Sequence, residues 1–317
     1  MKRHHQILAG ILLVQVALTV FVFWPRSAAG EKAEPLFPDL ETDSIVSLSI
    51  TDENGDQIVM RRGDSGWVLP DAEDYPVQTT SITPVLDSLV EVDTDNLVAR
   101  SETSHRQLQV AEENFVKRVA FETEDGAERV LYVGSSPRYS ASHVRVEGEE
   151  ETYLTDDISR WNLTAQPSSW VDASYLSVPQ KELVQVTLEN AQGTFTFVRG
   201  EGGAWTLADL AGDEQASDTK ISGIVSSAAN LRLKRPLGKT EEAPYGLDEP
   251  SAVVTLKTTE DEYTLTVGAH DVEDGSYVVK ASDASYYVTV SEASVRRLVE
   301  TGRRDLLQAE PTPTPAQ

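Results

Sequence analysis

At 317 residues the chain has room for about two domains of ordinary size, and its hydrophobic fraction of 39% places it among folded proteins. Cysteine is absent, which excludes disulfides, thiol catalysis, iron–sulfur clusters and a lipid-modified N-terminal cysteine. The formal charge is −25, and because residues 1–30 carry Lys2, Arg3 and Arg26 but no acid, −28 falls on residues 31–317, a field that repels nucleic acid and anionic lipid headgroups.

Residues 1–6 read as a short cytoplasmic tail and residues 7–24, Ile7 to Trp24, as a single transmembrane anchor. The run carries no charge and is just long enough to cross a bilayer core. It exceeds the roughly 7–15 apolar residues of a secretory signal, although Ser27-Ala28-Ala29 offers small residues that a signal peptidase accepts. Arg26 and Lys32 balance Lys2 and Arg3, so loop charge orients the segment weakly. The short tail favours an N-terminus inside, with the bulk of the chain in the periplasm or outside the cell. Residues 25–40, with Pro35 and Pro38 among charges, predict an extended linker. The Pro311-Thr312-Pro313-Thr314-Pro315 run predicts a disordered tail over 309–317.

Between these ends the chain reads as two related copies, 41–178 and 179–308. Ile45-Val46-Ser47-Leu48-Ser49-Ile50 and Leu183-Val184-Gln185-Val186-Thr187-Leu188 share one alternation at an offset of 138 residues, and both predict strands. At that offset Asn54-Gly55 falls on Gln192-Gly193 and Trp67 on Trp205. Asn-Gly between alternating runs is a strong hairpin signal, both turn residues taking positive φ. Further on the offset is near 134: Val133-Gly134 matches Val267-Gly268, Val144 matches Val278, and Tyr153-Leu154-Thr155 matches Tyr287-Val288-Thr289. Small loop deletions account for the drift.

Each copy thus predicts a hairpin, a Trp-bearing strand and one main helix. Ile82, Val85, Leu86 and Leu89 stand at helical spacing, as do Ile221, Ile224, Val225 and Ala228, with Thr79 or Thr80 and Ser217 or Asp218 as expected N-caps. A meander follows, over 116–123, 128–133, 142–147 and 152–155, then 252–258, 263–267, 277–281 and 286–290. Short closing helices are expected from Asp156 and Ser291. Strands joined mostly by hairpins, with few helices between them, argue for α+β architecture with antiparallel sheets.

No residue set declares a chemistry. Gly63-Asp64-Ser65-Gly66 looks like the nucleophile motif of chymotrypsin-like proteases, but a serine nucleophile needs an imidazole base, and the only upstream histidines are His4 and His5. His105, His143 and His270 have none of the spacings of zinc sites. Asp52 to Asp56 reads as a turn, its glycine two places early for a calcium loop, and Glu147 to Glu151 as a charged hairpin tip. No phosphate-binding glycine loop or dinucleotide fingerprint occurs, and no cofactor or metal is expected. Trp67 and Trp205 are expected as one core anchor per copy, while Trp161, Trp170 and Tyr175 are expected to pack between the copies. Arg232, Lys234, Arg235 and Lys239 form a basic run in an acidic chain, a possible docking patch that competes with solvated or internally paired charge. Arg296, Arg297, Arg303 and Arg304 form a second cluster.

The stretch Gly66-Trp67-Val68-Leu69-Pro70-Asp71-Ala72-Glu73-Asp74-Tyr75-Pro76-Val77, with the helix holding Val85-Leu86-Asp87-Ser88-Leu89, resembles the bacterial family called domain of unknown function 4340, and Trp170 to Leu176 is similar to it too. The resemblance covers most of residues 40–305, and its motifs are structural. It implies an extracytoplasmic accessory of a transport-like complex, because members are often encoded beside an ABC-type permease, its ATPase and an auxiliary protein of the gliding-motility type. The expected function is therefore a membrane-anchored, non-enzymatic protein that contacts a permease and an auxiliary envelope protein. The alternative is a periplasmic ligand-binding module for glycan or peptide, which a surface groove of clustered Trp and Tyr would favour. A hydrolase would require carboxylates converging with histidine in a deep pocket.

Overall fold

The computed structural model describes residues 34–308. The expected tail 1–6, the anchor Ile7–Trp24, the start of the linker and the tail 309–317 lie outside the described residues. Among the described residues no helix is long and apolar enough to cross a membrane.

The first unit consists of β1 (Ile45–Asp52), β2 (Gln57–Gly63), β3 (Gly66–Leu69), β4 (Tyr75–Pro76), α1 (Thr79–Glu91), β5 (Leu97–Ala99), α2 (Glu102–Leu108), β6 (Val110–Ala111), β7 (Asn114–Phe115), β8 (Lys117–Thr123), β9 (Glu128–Val133), β10 (Ser142–Val146) and β11 (Thr152–Thr155). Then come β12 (Ser174–Ser177), β13 (Leu183–Asn190), β14 (Gly193–Arg199), β15 (Trp205–Leu207), α3 (Asp218–Ala229), β16 (Asn230–Arg232), β17 (Arg235–Gly238), β18 (Ala252–Thr258), β19 (Glu262–Asp271), β20 (Ser276–Ala281), β21 (Tyr287–Ser291) and α4 (Glu292–Glu300). The main sheets run β4-β3-β2-β1-β8-β9-β10-β11-β5 and β15-β14-β13-β18-β19-β20-β21-β17, antiparallel throughout. Remove β4 and the two orders coincide strand for strand. The chain is an α+β protein built from two copies of one topology.

The correspondence extends to irregularities. A bulge interrupts β1 between Ile45 and Ser47 and β13 between Leu183 and Gln185. An extra residue at that point re-phases the alternation, so that Ile45, Leu48 and Ile50 are all buried, as are Leu183, Val186 and Leu188. Gly134 and Gly268 form another matched pair. A Cβ on Gly134 would lie 2.1 Å from the Leu108 carbonyl oxygen, and one on Gly268 would lie 2.2 Å from that of Tyr245. In each copy glycine lets the connecting segment press directly on the sheet.

Helix α1 buries Ile82, Val85, Leu86 and Leu89, and α3 buries Ile221, Ile224, Val225, Ala228 and Ala229. The buried cluster is continuous through both units, with Trp170, Val171 and Ala173 of the connection among its members. A smaller cluster of Val110, Val130 and Tyr132, with Leu108 and Phe115 packed against it, lies apart from it. Beside it Arg145 is 5% exposed, and its guanidinium donates to the carbonyls of Val110, Val146 and Glu149.

Several expectations are corrected. Residues 34–40 are not a free linker: Leu36 N donates to Val92 O at 2.7 Å, Pro35 bridges Asp93, and Phe37 is buried edge-on against Phe121. The apolar ring is what draws this strap onto the first unit. Asn54 does not take positive φ; only Gly55 does (+88°), because the Asp52 carboxylate caps the N–H groups of Asn54 and Asp56 and makes a longer turn. Thr79 is already helical, with Gln78 at the cap position, and Ser217 occupies its cap position without a side-chain bond. Asp218 Oδ1 instead accepts from Trp205 N at 2.6 Å, tying α3 to β15. After Asp156 only 3-10 turns form, Arg160–Asn162 and Pro167–Ser169, whereas Ser291 does start a helix.

Candidate functional site

Three places are candidates, and the residues singled out from sequence lie in the first two. Trp67 and Trp205 are 8% and 6% exposed, each on a strand following the first hairpin of its copy, β3 and β15. Trp170 is 2% exposed, its Nε1 donates to Thr164 O at 2.9 Å, and its carbonyl accepts from Gln78 N at the start of α1. Tyr175 OH donates to Tyr286 O at 2.8 Å and accepts from Ala281 N at 3.0 Å. Burial raises its pKa despite the opposing Ala281 N–H.

Trp161 departs from its expected place between the copies. It is 57% exposed, because Ser159 Oγ caps the 3-10 turn by accepting from Trp161 N, and this turn buries Leu163 while presenting the indole to solvent. Its ring stacks near-parallel on Tyr139, with centroids 6.4 Å apart and planes at 16°, and the Arg160 guanidinium lies 4.5 Å from its centre. Tyr139 is 82% exposed. A groove of about 390 Å³ runs from Trp161 along Ser81 and Pro84 of α1 to Trp170.

The second place is the seam between the units. The 3-10 turn Pro70–Ala72 leads into Glu73 and Asp74, both with left-handed φ (+50° and +60°), a conformation that costs energy in residues with a Cβ. This places the Glu73 carboxylate against the second unit, where Oε1 accepts from Thr240 N at 2.9 Å and the side chain covers Gly238 at the end of β17. Thr240, through its hydroxyl and then its N–H, holds the Glu73 carboxyl below its ordinary range. Tyr286 OH donates to Asp74 O, and its ring meets Tyr75 edge-on at 4.5 Å.

The basic run lies beside this seam, and two of its four residues are engaged within the chain. Lys234 Nζ pairs with Asp274 Oδ1 at 2.5 Å, and Lys239 Nζ stands 4.9 Å from the centre of the Tyr286 ring. Arg235 lines an inter-unit groove of about 410 Å³ together with Glu242 and Tyr245. Arg232 and Arg235 have no carboxylate partner among the described residues. In the C-terminal cluster, Arg303 grips Glu214 at 2.6 Å and Asp209 at 2.9 Å, and Arg296 pairs with Glu292.

The third place is the free edge of the first sheet. Among the described residues strand β5 pairs only with β11, and Leu97 and Val98 are 42% and 48% exposed. Its counterpart β17 is the edge that Glu73 covers.

The titratable candidates do not converge. Ser65 is exposed at the tip between β2 and β3. His105 Nε2 bonds Glu150 O, His143 Nδ1 bonds Ser135 O, and His270 stacks on Tyr277 with its Nε2 3.6 Å from a Glu292 carboxylate oxygen. Among the described residues no group of three or more His, Cys, Asp or Glu could hold a metal ion. Sequence reasoning missed Arg145, whose only signal was a cation inside an alternating strand, and Tyr139, which nothing in its Pro-Arg-Tyr-Ser loop distinguishes.

These features define a tandem α+β duplication whose halves share a core and meet through a hydrogen-bonded seam. A family model described as Domain of unknown function (DUF4340) matches residues 67–248 and again 205–308, and the chain belongs to that family. The two matches start at Trp67 and Trp205, equivalent positions of the two copies. No curated protein and no solved structure matches the chain.

Proposed function

We propose that the protein is a single-pass membrane protein whose folded part stands outside the cytoplasm and serves, without catalysis of its own, as an accessory of an ABC-type transport system. It would act by contact with the permease and an auxiliary envelope protein. The family resemblance supplies the transport context, and the uncharged run Ile7–Trp24 supplies the anchor. The observation that carries action by protein contact is the uncovered edge strand β5. Its counterpart β17 is capped by Glu73 of the first unit, whereas among the described residues Leu97 and Val98 have no such cover. An open edge with apolar side chains is suited to strand addition by a partner. A tether also raises the effective concentration near membrane partners, so a small interface suffices.

The test is purification of the full-length protein from its native host after gentle solubilisation. At low salt it should bring down a permease and an auxiliary envelope protein, and recovery should fall as salt screens contacts steered by the acidic surface. Leu97→Asp with Val98→Lys should reduce recovery while leaving the unfolding midpoint in place. Repeated low-salt recovery without any transport component would overturn the reading.

A further inference from the structure

We infer that the groove beside Trp161 is a binding site for a neutral oligosaccharide, with Tyr139 and Trp161 as its stacking platform. Three observations carry this. Tyr139 and Trp161 are both largely exposed, at 82% and 57%, with near-parallel rings whose centroids lie 6.4 Å apart. A stacked pair of that size left open is uncommon, since aromatic rings dominate the energy of burial wherever the fold can use them. The groove is lined by Trp161, with Tyr139 beside that ring rather than in the lining, and offers hydroxyl and amide groups from Ser81, Asn162, Thr164 and Ser169; its volume of about 390 Å³ falls in the ~300–1,000 Å³ range of small-molecule sites.

The lining chemistry selects the ligand class. No residue lining the groove ionises, in a chain where 25% of residues are charged and the formal total is −25. A charged ligand would find no counter-ion inside it. A neutral sugar presents apolar C–H faces to aromatic rings and hydroxyls at its rim, and both halves of that chemistry are present. Arg160 lies over the indole, and Arg138, paired with Asp156, holds the Tyr139 loop; both charges stand outside the groove lining. The platform does not depend on transport partners, so either reading can fail without the other.

The experiment uses the full-length protein in a detergent without a sugar headgroup, titrated with cellohexaose and chitohexaose and followed by calorimetry and tryptophan emission. Saturable binding of at least one is expected. Trp161→Ala should weaken it about tenfold or more, Tyr139→Ala should weaken it less, and Trp161→Phe should restore most of it. Because both rings are exposed, the unfolding midpoint of each variant should match the parent, which separates lost binding from lost structure. Absence of saturable binding to both sugars, undiminished binding by Trp161→Ala, or tighter binding of a polyanionic oligosaccharide such as heparin hexasaccharide would each overturn the proposal.

Discussion

Gly134 and Gly268 show how much one hydrogen atom in place of a methyl group can decide. Both sit where a connecting segment crosses the sheet at backbone contact, so Gly134→Ala should force that segment away and cost about 1–3 kcal/mol or more, read as a lower denaturation midpoint. Gly126, with φ of +81° but open space around it, should lose only about 1 kcal/mol on the same change, from the left-handed backbone. Tryptophans divide in a parallel way. Trp205→Ala leaves a void beneath β15 and should cost about 3–5 kcal/mol, whereas Trp161→Ala, at 57% exposure, should stay within about 0.5 kcal/mol. A large stability loss at Trp161 would mean that the ring is a packing residue after all. The match of Trp205 to Trp67 marked it as a core position, whereas the exposure of Trp161 arises from a turn capped by Ser159.

At the scale of elements, the last turn of the described residues is held by charge and by the burial of Leu306. Arg303–Leu306 forms a 3-10 turn in which Leu306 is fully buried and Arg303 reaches Glu214 and Asp209 across the segment before α3. Hydrogen bonding to Arg303 and to the Ala211 N–H pushes the Glu214 carboxyl down to about 2. A depressed acid stabilises the fold above its unfolded value near 4.5 and loses that contribution as pH falls through the folded one. Amides of 303–308 should therefore exchange faster as pH drops from about 4.5 toward 2, beyond the intrinsic pH dependence, and Arg303→Met should bring the same loosening at neutral pH. Equal protection in parent and variant would remove the ion pair from the account. Elements such as β1, β13, α1 and α3 were legible in the sequence because their periodicity is local and their buried positions recur. Strands β5 and β17 were not. Leu97-Val98-Ala99 has no alternation, and Arg235-Pro236-Leu237-Gly238 contains residues that usually argue against a strand; both pair because β11 and β21 present an open edge. Helix α2 buries one residue, His105, so only its Ser101 cap could have marked it. The basic run was visible as charge, but its pairing with Asp274 and Tyr286 comes from residues about 40 or more positions away.

For the whole molecule the seam determines whether two copies behave as one body. Glu73, Tyr75 and Tyr286 join them above a continuous core, so unfolding should be a single cooperative transition. Glu73→Ala removes the acceptor for Thr240 N–H and should split that transition or broaden it, with a decrease in apparent denaturant dependence; an unchanged single transition would assign the coupling to the core alone. Acid should act in the same direction, since the Glu73 contribution is present above its ordinary 4.5 and is lost as pH falls through the lowered value. The strap at residues 34–37 has a mechanical consequence. If the chain is anchored at Trp24, the nine residues 25–33 can pay out no more than about 30 Å, and tension arriving at residue 34 meets the Leu36–Val92 hydrogen bond and the Phe37 ring before it reaches β1. A load on such an anchor would be delivered to the C-terminal end of α1, and the strap would work as a strain relief that lets the sheet keep its register while the leash is pulled.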